Sequence, residues 1–321
     1  MTIILLAFII IFSVVLIKSA DLTVISIKKI AGGTGLIALS AIVIAIGTSF
    51  PELFVGITSA IEGEPGLSLG VTLGSNIANI ALIGAGAALI AGGVSISEAI
   101  IKRLIWVSFA CGVLPYILLI DGNLSRIDGF VMVLVYFSYI LNFFKGYHHQ
   151  ALGERTNNVS LTKIVRRVEH FAEDKWKSLA RIFIGVSLML FSADTIVKLS
   201  NLLADKMGIP IFIIGLFVLA VGTSLPEFAF SLESLKDKEP QMFIGNLMGS
   251  VVANATLIIG LSVIISPINS LNSSKYIFPG IVFISVLLLF YLFIRTKRRL
   301  VRWEAGVLLI IYFLFVLIEL L

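Results

Sequence analysis

A six-residue motif that combines two hydroxyls, a proline and a carboxylate occurs twice in the chain. The first copy is Gly47-Thr48-Ser49-Phe50-Pro51-Glu52, and the second is Gly222-Thr223-Ser224-Leu225-Pro226-Glu227. Each position of the second copy lies 175 residues beyond its counterpart in the first. Both copies lie in apolar stretches, residues 30–101 and 207–235, that contain no lysine, arginine or histidine. Neither carboxylate therefore has a basic partner in its own stretch, and each needs another means of stabilisation.

The residue types of the motif favour binding of a hard cation. On one helix, Thr48, Ser49 and Glu52 are spaced to share a face, and so are their counterparts in the second copy. A proline inside a helix also leaves the carbonyl four residues earlier without its usual donor, and in hydrocarbon that oxygen needs another partner. Carboxylate, hydroxyl and carbonyl oxygens suit Ca²⁺ or Na⁺, whereas zinc and copper sites favour histidine and cysteine.

A second pair of polar positions keeps the same register. Ser75 and Asn79 lie four residues apart, and Ser250 and Asn254 repeat that spacing 175 residues later. Such residues also hydrogen-bond between membrane helices, so helix packing is the alternative to a role as ligands. Each mid-membrane carboxylate costs about 2.5–3.5 kcal/mol, which a cation bound between the two motifs would offset. Two carboxylates match the charge of one Ca²⁺ or two Na⁺, and competition for the same oxygens would give exchange.

Long apolar stretches must position these residues within a membrane. The 321 residues are 58% hydrophobic and 13% charged, with a mean hydropathy of +1.07. Apolar stretches of about 20 residues, the length that crosses a bilayer as a helix, follow one another along the chain. The composition therefore predicts an all-α polytopic membrane protein. Ten transmembrane helices are predicted, at about residues 2–19, 34–61, 66–93, 100–120, 126–144, 179–198, 208–235, 241–266, 276–295 and 303–320.

A polar segment divides the ten predicted helices into two sets of five. We predict a first five-helix repeat at 1–147, a basic cytoplasmic loop at 148–178 and a second repeat at 179–321. Apolar residues at helical spacing between basic ones favour an interfacial helix in the loop over a solvated connector. Because five crossings are odd, the second repeat starts on the opposite side and must be inverted, with helices 2 and 7 broken by the motif.

The basic residues predict the orientation of the chain. If the N-terminus is outside, the inner connections hold 20 of the 24 lysines and arginines. The positive-inside rule then predicts that both termini are extracytoplasmic. We expect the protein to be a multi-pass protein of the cell (plasma) membrane. This distribution accounts for the net charge of +5 without a nucleic-acid partner. The predicted partners are the lipid bilayer and the transported ions, Ca²⁺ and Na⁺ and, in the alternative, H⁺. We expect the first apolar stretch to be a retained span. The sequence does not specify an oligomeric state.

The pattern GTSxPE followed by GSxxxN, present in both halves, resembles the sodium/calcium exchanger family of the Ca²⁺/cation antiporter superfamily, in its short prokaryotic form. The resemblance implies ten helices, with ion sites between the broken second and seventh helices and the third and eighth. It also implies that the first and sixth helices slide against this core to alternate access.

The resemblance also implies roles for individual positions. The implied centre, a Ca²⁺ site, consists of Glu52, Glu227, Asn79, Asn254 and the backbone oxygens of Thr48 and Thr223. The implied flanking Na⁺ sites consist of Ser49, Ser75, Ser224, Ser250 and the backbone carbonyls of Ala45 and Ala220.

Two positions depart from the family pattern. Several branches carry aspartate at the position of Asn254, and the potassium-dependent branch relies on that acid, which argues against potassium coupling. Gly-Asn often precedes Gly-Ser in the family; Gly245-Asn246 fits this pattern, but Gly70 is followed by Val71. The first half of the site is therefore expected to pack differently from the second.

The predicted function is a secondary antiporter that exchanges Ca²⁺ for Na⁺ by alternating access at a two-glutamate mid-membrane site. No enzyme activity and no cofactor are predicted. A Ca²⁺/H⁺ antiporter, or one for another divalent cation, is the alternative within the same fold because buried carboxylates can bind protons. An inverted-repeat membrane enzyme such as a lipid-phosphate hydrolase is a more distant alternative, and it would need a histidine or arginine near the acids. A channel would instead need a continuous pore.

Overall fold

The computed structural model describes residues 2–33, 47–96, 106–151, 161–269 and 274–320. Nearly all of these residues are helical. We number their helices α1 (Thr2–Gly33), α2 (Phe50–Ile61), α3 (Pro65–Ala91), α4 (Trp106–Leu118), α5 (Arg126–Ala151), α6 (Leu161–Met207), α7 (residues 211–223), α8 (Leu225–Lys236), α9 (Pro240–Ile265), α10 (Ser274–Lys297) and α11 (Arg302–Leu320). Two short strands are β1 (Val94–Ser95) and β2 (Arg299–Leu300).

Six segments of the described residues are helical, long and apolar enough to cross a bilayer. These segments are Thr2–Ile27, Pro65–Ala91, Trp176–Met207, Ile211–Lys236, Pro240–Ile265 and Tyr276–Arg295. The molecule is therefore a multi-span helical membrane protein. The segments in α3 and α9 are the most buried of the six, whereas those in α1 and α6 expose most of their surface. The polar motif residues belong to the buried part of the protein, and the outer helices present apolar side chains to lipid.

Helices α1 and α6 extend well beyond the spans that the sequence predicts. We expected the first span to end near residue 19 and the sixth to cover 179–198, but the helices are Thr2–Gly33 and Leu161–Met207. Neither helix contains a proline, and α6 continues to Met207, directly before Gly208 with its positive φ, so polar residues at the membrane surface do not stop the helix. The helix Leu161–Met207 includes part of the predicted cytoplasmic loop, whose contact with lipid stays a prediction.

The backbone repeats itself between α2–α3 and α8–α9. Helices α2 and α8 each have twelve residues, and each is followed by a tight turn into a proline-started helix. The same hydrogen bond closes both turns, since the Glu64 amide donates to the Ser59 carbonyl and the Glu239 amide donates to the Ser234 carbonyl, both at 2.8 Å. The sequence repeat of 175 residues is therefore also a repeat of local structure.

Three of the described helices contain a π turn. These turns are Asn79–Gly84 in α3, Ile214–Leu219 in α7 and Ala253–Ile258 in α9. A π turn widens the helix by one residue and is frequently found at functional sites. Two of the three carry an asparagine of the GSxxxN pattern, Asn79 and Asn254, so the predicted ligand helices are locally widened where those ligands lie.

Glycines allow α3 and α7 to pack with their backbones in contact. A Cβ at Gly70 would overlap the Phe212 carbonyl oxygen, and one at Gly74 would overlap the Leu216 carbonyl oxygen. Small residues at helix interfaces are the usual means of close packing in membranes, where van der Waals contact replaces the hydrophobic effect. Residue numbers rise together along both helices, so α3 and α7 run parallel.

The two repeat-related helices α3 and α9 run antiparallel through the centre of the molecule. Ser68 near the start of α3 bonds Ser262 near the end of α9, and Asn76 further along α3 bonds Asn254, which lies before Ser262. Helices α1 and α6 form a second antiparallel pair outside this centre, with Phe12 against Phe191 and Thr23 against Gly185. Their cluster of buried apolar side chains also includes residues from α2, α3 and α7.

Two short backbone pairings tie the connecting loops together. Strands β1 and β2 pair antiparallel, with Val94 opposite Leu300. An isolated antiparallel bridge joins Leu124 to Ile268. The loops of α3–α4 and α10–α11 therefore lie at one end of the molecule, and the loops of α4–α5 and α9–α10 lie together as well.

Candidate cation-binding site

In both copies of the motif the serine directly precedes the start of a helix. Ser49 has backbone angles of φ −90° and ψ 9°, and Ser224 has φ −86° and ψ 5°. A new helix begins at the next residue, so Pro51 and Pro226 lie in its first turn, where a proline removes no helical hydrogen bond. The prolines thus start a helix, whereas the sequence placed them inside one. The following glutamates lie in the first turn, where the helix dipole stabilises negative charge.

The two glutamates are completely buried at these helix starts. Glu52 and Glu227 are each 0% exposed. The Ser224 hydroxyl donates to Oε1 of Glu52 at 3.4 Å, and the Ser250 hydroxyl donates to Oε1 of Glu227 at 3.4 Å. The Oε2 atom of each glutamate has no hydrogen-bond partner among the described residues. One acceptor oxygen on each carboxylate is therefore open to a further partner.

Serine hydroxyls connect the two copies of the motif. The Ser49 hydroxyl donates to the Ser250 hydroxyl at 3.3 Å, and the Ser75 hydroxyl donates to the Ala220 carbonyl at 3.4 Å. Each of these contacts joins a residue of the first half to one of the second, as does the bond from Ser224 to Glu52. The site is consequently shared, and neither half of the chain forms it alone.

The asparagines of the pattern are buried beside this cluster. The Asn254 Nδ2 atom donates to the Asn76 Oδ1 atom at 3.1 Å, and the Asn254 Oδ1 atom has no partner among the described residues. Neither amide atom of Asn79 has a partner there. Buried polar atoms are nearly always hydrogen-bonded, so several unpaired oxygens within one buried region are typical of a site that binds an ion or water.

The charge of the site is not balanced by the protein. Glu52 and Glu227 belong to one buried cluster, since Ser224, three residues before Glu227, donates to Glu52. In the part of the chain that the structure describes, the ion pairs join exposed residues, Lys198 with Asp194 and Lys18 with Asp21. The same part contains no group of three or more histidine, cysteine or acidic side chains that could hold a metal. Any bound cation would therefore rest on two carboxylates and on neutral oxygens.

A second group of hydroxyls, which we call the Gly56 cluster, consists of Gly56, Ser59, Ser68 and Ser262. The Ser68 and Ser262 hydroxyls are 2.7 Å apart. The Ser262 and Ser59 hydroxyls donate to the Gly56 carbonyl at 3.1 and 2.9 Å. Its hydroxyls are satisfied by one another and by that carbonyl. The Gly56 cluster therefore fastens α2, α3 and α9 together.

Comparison with known proteins identifies the family of this chain. The family model described as "Sodium/calcium exchanger protein" matches residues 4–145 and 177–321. The chain belongs to this family. As a member of the family, the exchanger is a membrane antiporter rather than an enzyme.

Individual relatives agree with the family match. The exchanger is 27% identical to the sodium/calcium exchanger MaX1 of Methanosarcina acetivorans over 335 residues, which cover 95% of both chains. It is 30% identical to the inner membrane protein YrbG of Escherichia coli over 227 residues, or 70% of this chain and 68% of YrbG. A solved structure of the sodium-calcium exchanger NCX_Mj, soaked with Na⁺ and Sr²⁺, superposes with a TM-score of 0.64 at 26% identity and covers 98% of each chain.

The structure brings most of the predicted site residues together. Contacts through side chains or carbonyls involve Glu52, Glu227, Ser49, Ser224, Ser75, Ser250 and Ala220. Thr223 is buried and its hydroxyl donates to the Leu219 carbonyl at 3.0 Å, whereas Thr48 is half-buried. The Ala220 carbonyl already accepts bonds from Ser75 and from the Ser224 amide, at 3.4 and 3.2 Å. Ala45 lies outside the described residues. The roles of all these residues toward cations stay predictions.

Sequence reasoning missed Asn76. The repeat points to polar residues that recur 175 positions later, but the position that corresponds to Asn76 is Val251. The available signal was a buried amide directly after Gly74-Ser75 in an apolar helix. Sequence reasoning also missed the π turns, which have no residue signature of their own.

Proposed function

We propose that the exchanger carries Ca²⁺ and Na⁺ in opposite directions at a shared site between Glu52 and Glu227. The observation that carries this proposal is the pair of fully buried carboxylates, one from each half, each with an oxygen that has no partner among the described residues. Burial of two like charges is costly, and a cation between them would offset that cost.

The ligand chemistry supports hard cations as cargo. Carboxylate, hydroxyl and amide oxygens surround the carboxylate pair, and Ca²⁺ takes six to eight such oxygens. Two carboxylates neutralise one Ca²⁺ or two Na⁺. We propose that Glu52, Glu227, Asn79 and Asn254 with the Thr48 and Thr223 backbone hold Ca²⁺, and that the four serines with Ala45 and Ala220 form the flanking Na⁺ sites.

We propose a ten-helix architecture built from two inverted five-helix repeats. The antiparallel arrangement of α3 and α9 supports inversion, because these helices are counterparts in the repeat. The loop pairings support it as well. Val94 pairs with Leu300, and their counterparts lie within one residue of Ile268 and Leu124, which also pair. An inverted repeat would place these two equivalent pairings on opposite faces of the membrane.

The charges of the two faces support an orientation with both termini extracytoplasmic in the cell membrane. Arg299 and Arg302 lie beside Gly92 at the end that carries the β1–β2 pairing. Glu64 lies near Asp205 and Glu62 near Lys198 between the α2–α3 turn and the end of α6. By the positive-inside rule, the arginine-bearing end faces the cytoplasm.

Helices α1 and α6 are suited to alternate access to the site. They pack against each other, and their apolar side chains also pack against α2, α3 and α7. Beside the motif itself, Val24 of α1 lies against Gly47 and Ser13 of α1 lies near Gly222. Both are largely exposed to lipid, so sliding them would break few polar contacts. We propose that this pair slides past α2 and α8, which carry the motif glutamates, and opens the site to one side of the membrane at a time.

Flux measurements on purified protein in liposomes test the proposal. We expect ⁴⁵Ca²⁺ uptake driven by an opposing Na⁺ gradient, and we expect Glu52→Gln and Glu227→Gln to lower it by about two orders of magnitude or more. Glu233→Gln is the matched control, because Glu233 lies on the same helix as Glu227 but is exposed. Uptake at the wild-type rate in both site variants would contradict the assignment of the site.

Protons are the alternative coupling ion. No basic residue of the described chain pairs with the glutamates, so protons could neutralise them when Ca²⁺ leaves. A pH gradient without Na⁺ separates the two cases. We expect Ca²⁺ uptake to follow the Na⁺ gradient, and uptake driven by the pH gradient alone would identify a Ca²⁺/H⁺ antiporter of the same fold.

A further inference from the structure

Asn254 is hydrogen-bonded in a way that determines which of its two amide atoms is available. Its Nδ2 atom donates to the Asn76 Oδ1 atom at 3.1 Å, and its Oδ1 atom is buried without a partner among the described residues. An amide can turn either its oxygen or its NH₂ group toward a site, and only the oxygen is a ligand for a cation. With the NH₂ group engaged by Asn76, the oxygen is the atom left for another partner.

Asn254 belongs to the face of α9 that contacts the glutamates. Ser250 precedes it by four residues and donates to Glu227 at 3.4 Å. The π turn Ala253–Ile258 begins between the two residues and changes the helix register at this point. Asn76 approaches from α3, the antiparallel counterpart, so the amide contact also bridges the two halves of the exchanger.

The equivalent contact is missing from the other half. Asn79 is the counterpart of Asn254, and Val251 is the counterpart of Asn76. A valine side chain cannot accept a hydrogen bond, so it cannot fix an amide. Consistent with this, neither amide atom of Asn79 has a partner among the described residues. The two asparagines therefore have the same position in the repeat but different freedom to rotate.

We propose that Asn76 is a positioning residue that holds the Asn254 oxygen ready for the bound cation. Under this inference, which rests on the proposed cation site, Asn254 is a fixed ligand and Asn79 is an adaptable one that can rotate as Ca²⁺ and Na⁺ alternate. A ligand held in place before binding raises affinity because its rotation is not lost on binding. Asn76 thus contributes to Ca²⁺ affinity without touching the ion.

A double-mutant cycle distinguishes positioning from simple packing. Asn76→Val copies the residue of the other half and removes the acceptor. Asn254→Asp replaces the amide by a carboxylate, whose two oxygens are both ligands, so its orientation no longer needs to be fixed. If Asn76 only packs helices together, the valine substitution has the same effect in both backgrounds. If it positions the amide, the effect is confined to the background that has Asn254.

The measurement is the external Ca²⁺ concentration that gives half-maximal ⁴⁵Ca²⁺ uptake in liposomes, under whichever gradient drives the wild-type protein. We expect Asn76→Val to raise this concentration about tenfold while the maximal rate stays within about twofold. In the Asn254→Asp background, we expect the same substitution to change it by less than about twofold. If the valine variant does not fold, Asn76→Ala replaces it in both backgrounds.

Three outcomes would overturn the inference. The first is an unchanged half-maximal concentration in Asn76→Val, and the second is an equal rise in both backgrounds. In either case the proposed function survives if Glu52→Gln still abolishes uptake. The third is a wild-type protein that neither transports Ca²⁺ nor shows a Ca²⁺-dependent rise in melting temperature, which removes the proposed function and this inference together.

Discussion

The two halves of the exchanger share a backbone but not a hydrogen-bond pattern. Ser49 and Ser224 precede their helices with nearly the same φ and ψ angles. The Ser49 hydroxyl nevertheless donates to Ser250, whereas the Ser224 hydroxyl donates directly to Glu52. Equivalent backbone positions therefore place similar side chains in different roles.

The two halves also differ where the start of α3 or α9 packs against the end of the other helix. In the Gly56 cluster, Ser68 and Ser262 bond each other across α3 and α9. Their counterparts in the repeat are Phe243 and Ala87, which cannot form such a bond. The counterpart of Gly56 is Ser231, whose buried hydroxyl has no partner among the described residues. One junction is consequently fastened by hydrogen bonds and the other by apolar packing.

These differences indicate how a duplicated backbone can serve two unequal sides of a membrane. The backbone brings one glutamate from each half, together with α3 and α9, to the same buried site. A few differences between the repeats then give the Gly56 cluster hydrogen bonds that its counterpart lacks. They also give the Asn254 amide a partner, Asn76, that Asn79 lacks. Under the proposed orientation, the Gly56 cluster lies toward the extracytoplasmic side of the glutamates.

The largest expected effect concerns the close helix packing on which both halves depend. In Gly74→Ala the new Cβ would overlap the Leu216 carbonyl, a backbone atom that cannot move without shifting α7. We expect loss of folded protein, or a fall of more than about 3 kcal/mol in stability. Gly86→Ala on the same helix is the control, since its Cβ meets only Phe228 at 3.8 Å. Equal yields and melting temperatures for the two variants would contradict the packing.

The next effect tests whether Ser75 on α3 and its counterpart Ser250 on α9 are equivalent. Ser250 connects Ser49 to Glu227, whereas the Ser75 hydroxyl donates to the Ala220 carbonyl. We therefore expect Ser250→Ala to raise the Na⁺ concentration for half-maximal exchange about fivefold, and Ser75→Ala about twofold. Na⁺-dependent Ca²⁺ efflux from loaded liposomes measures both. Equal effects would show that the unequal hydrogen bonds have no consequence for Na⁺.

A smaller effect is expected at the Gly56 cluster. Ser262→Ala removes two contacts between helices, to Ser68 and to the Gly56 carbonyl, and interhelical bonds in membranes average about 0.6 kcal/mol each. We expect a loss of about 1 kcal/mol, measured as a lower melting temperature in detergent. Ser231→Ala, at the counterpart of Gly56, should change the melting temperature little, because the Ser231 hydroxyl has no partner among the described residues. A similar fall in both variants would show that the two junctions do not differ.

The smallest effect concerns the turns outside the membrane. Burial, and secondly the negative charge of Asp205, raise the pKa of Glu64 above its usual value. The folded state therefore binds this proton more tightly, so the resulting stabilisation is present below the unfolded pKa and is lost as pH rises through the folded pKa. We expect the melting temperature of Glu64→Gln to depend less on pH than that of the wild-type protein between about pH 4 and 6. Glu239→Gln, at the equivalent position of the α8–α9 turn, controls for the loss of a carboxylate. An unchanged pH profile in Glu64→Gln would contradict the assignment.

The site could be predicted from sequence where the repeat and the chemistry coincide. Glu52 and Glu227 stand out because a carboxylate in an apolar stretch is costly and because both recur in register. The serines at 49, 75, 224 and 250 follow from the same register. Asn76 could not be found this way, since its importance comes from an antiparallel neighbour 178 residues away rather than from the repeat.

The fold shows a similar division. Apolar stretches predict the helices, but their ends depend on local breakers rather than on the membrane surface, so α6 continues to Met207, directly before Gly208 with its positive φ. The prolines were expected inside helices, whereas a new helix begins one residue before each of them, at Phe50 and Leu225. The π turns depend on tertiary packing and on unpaired carbonyls, which no local residue pattern specifies.

The most direct test of the shared two-glutamate site is a crystal structure of the protein soaked with Sr²⁺ as an anomalous substitute for Ca²⁺. We predict one strong anomalous peak between Glu52 and Glu227, at roughly 2.3–2.6 Å from an oxygen of each carboxylate. The peak should disappear on soaking with excess Na⁺. A peak bound by only one glutamate, or a strong peak elsewhere with none between the two, would contradict a site that both halves build together.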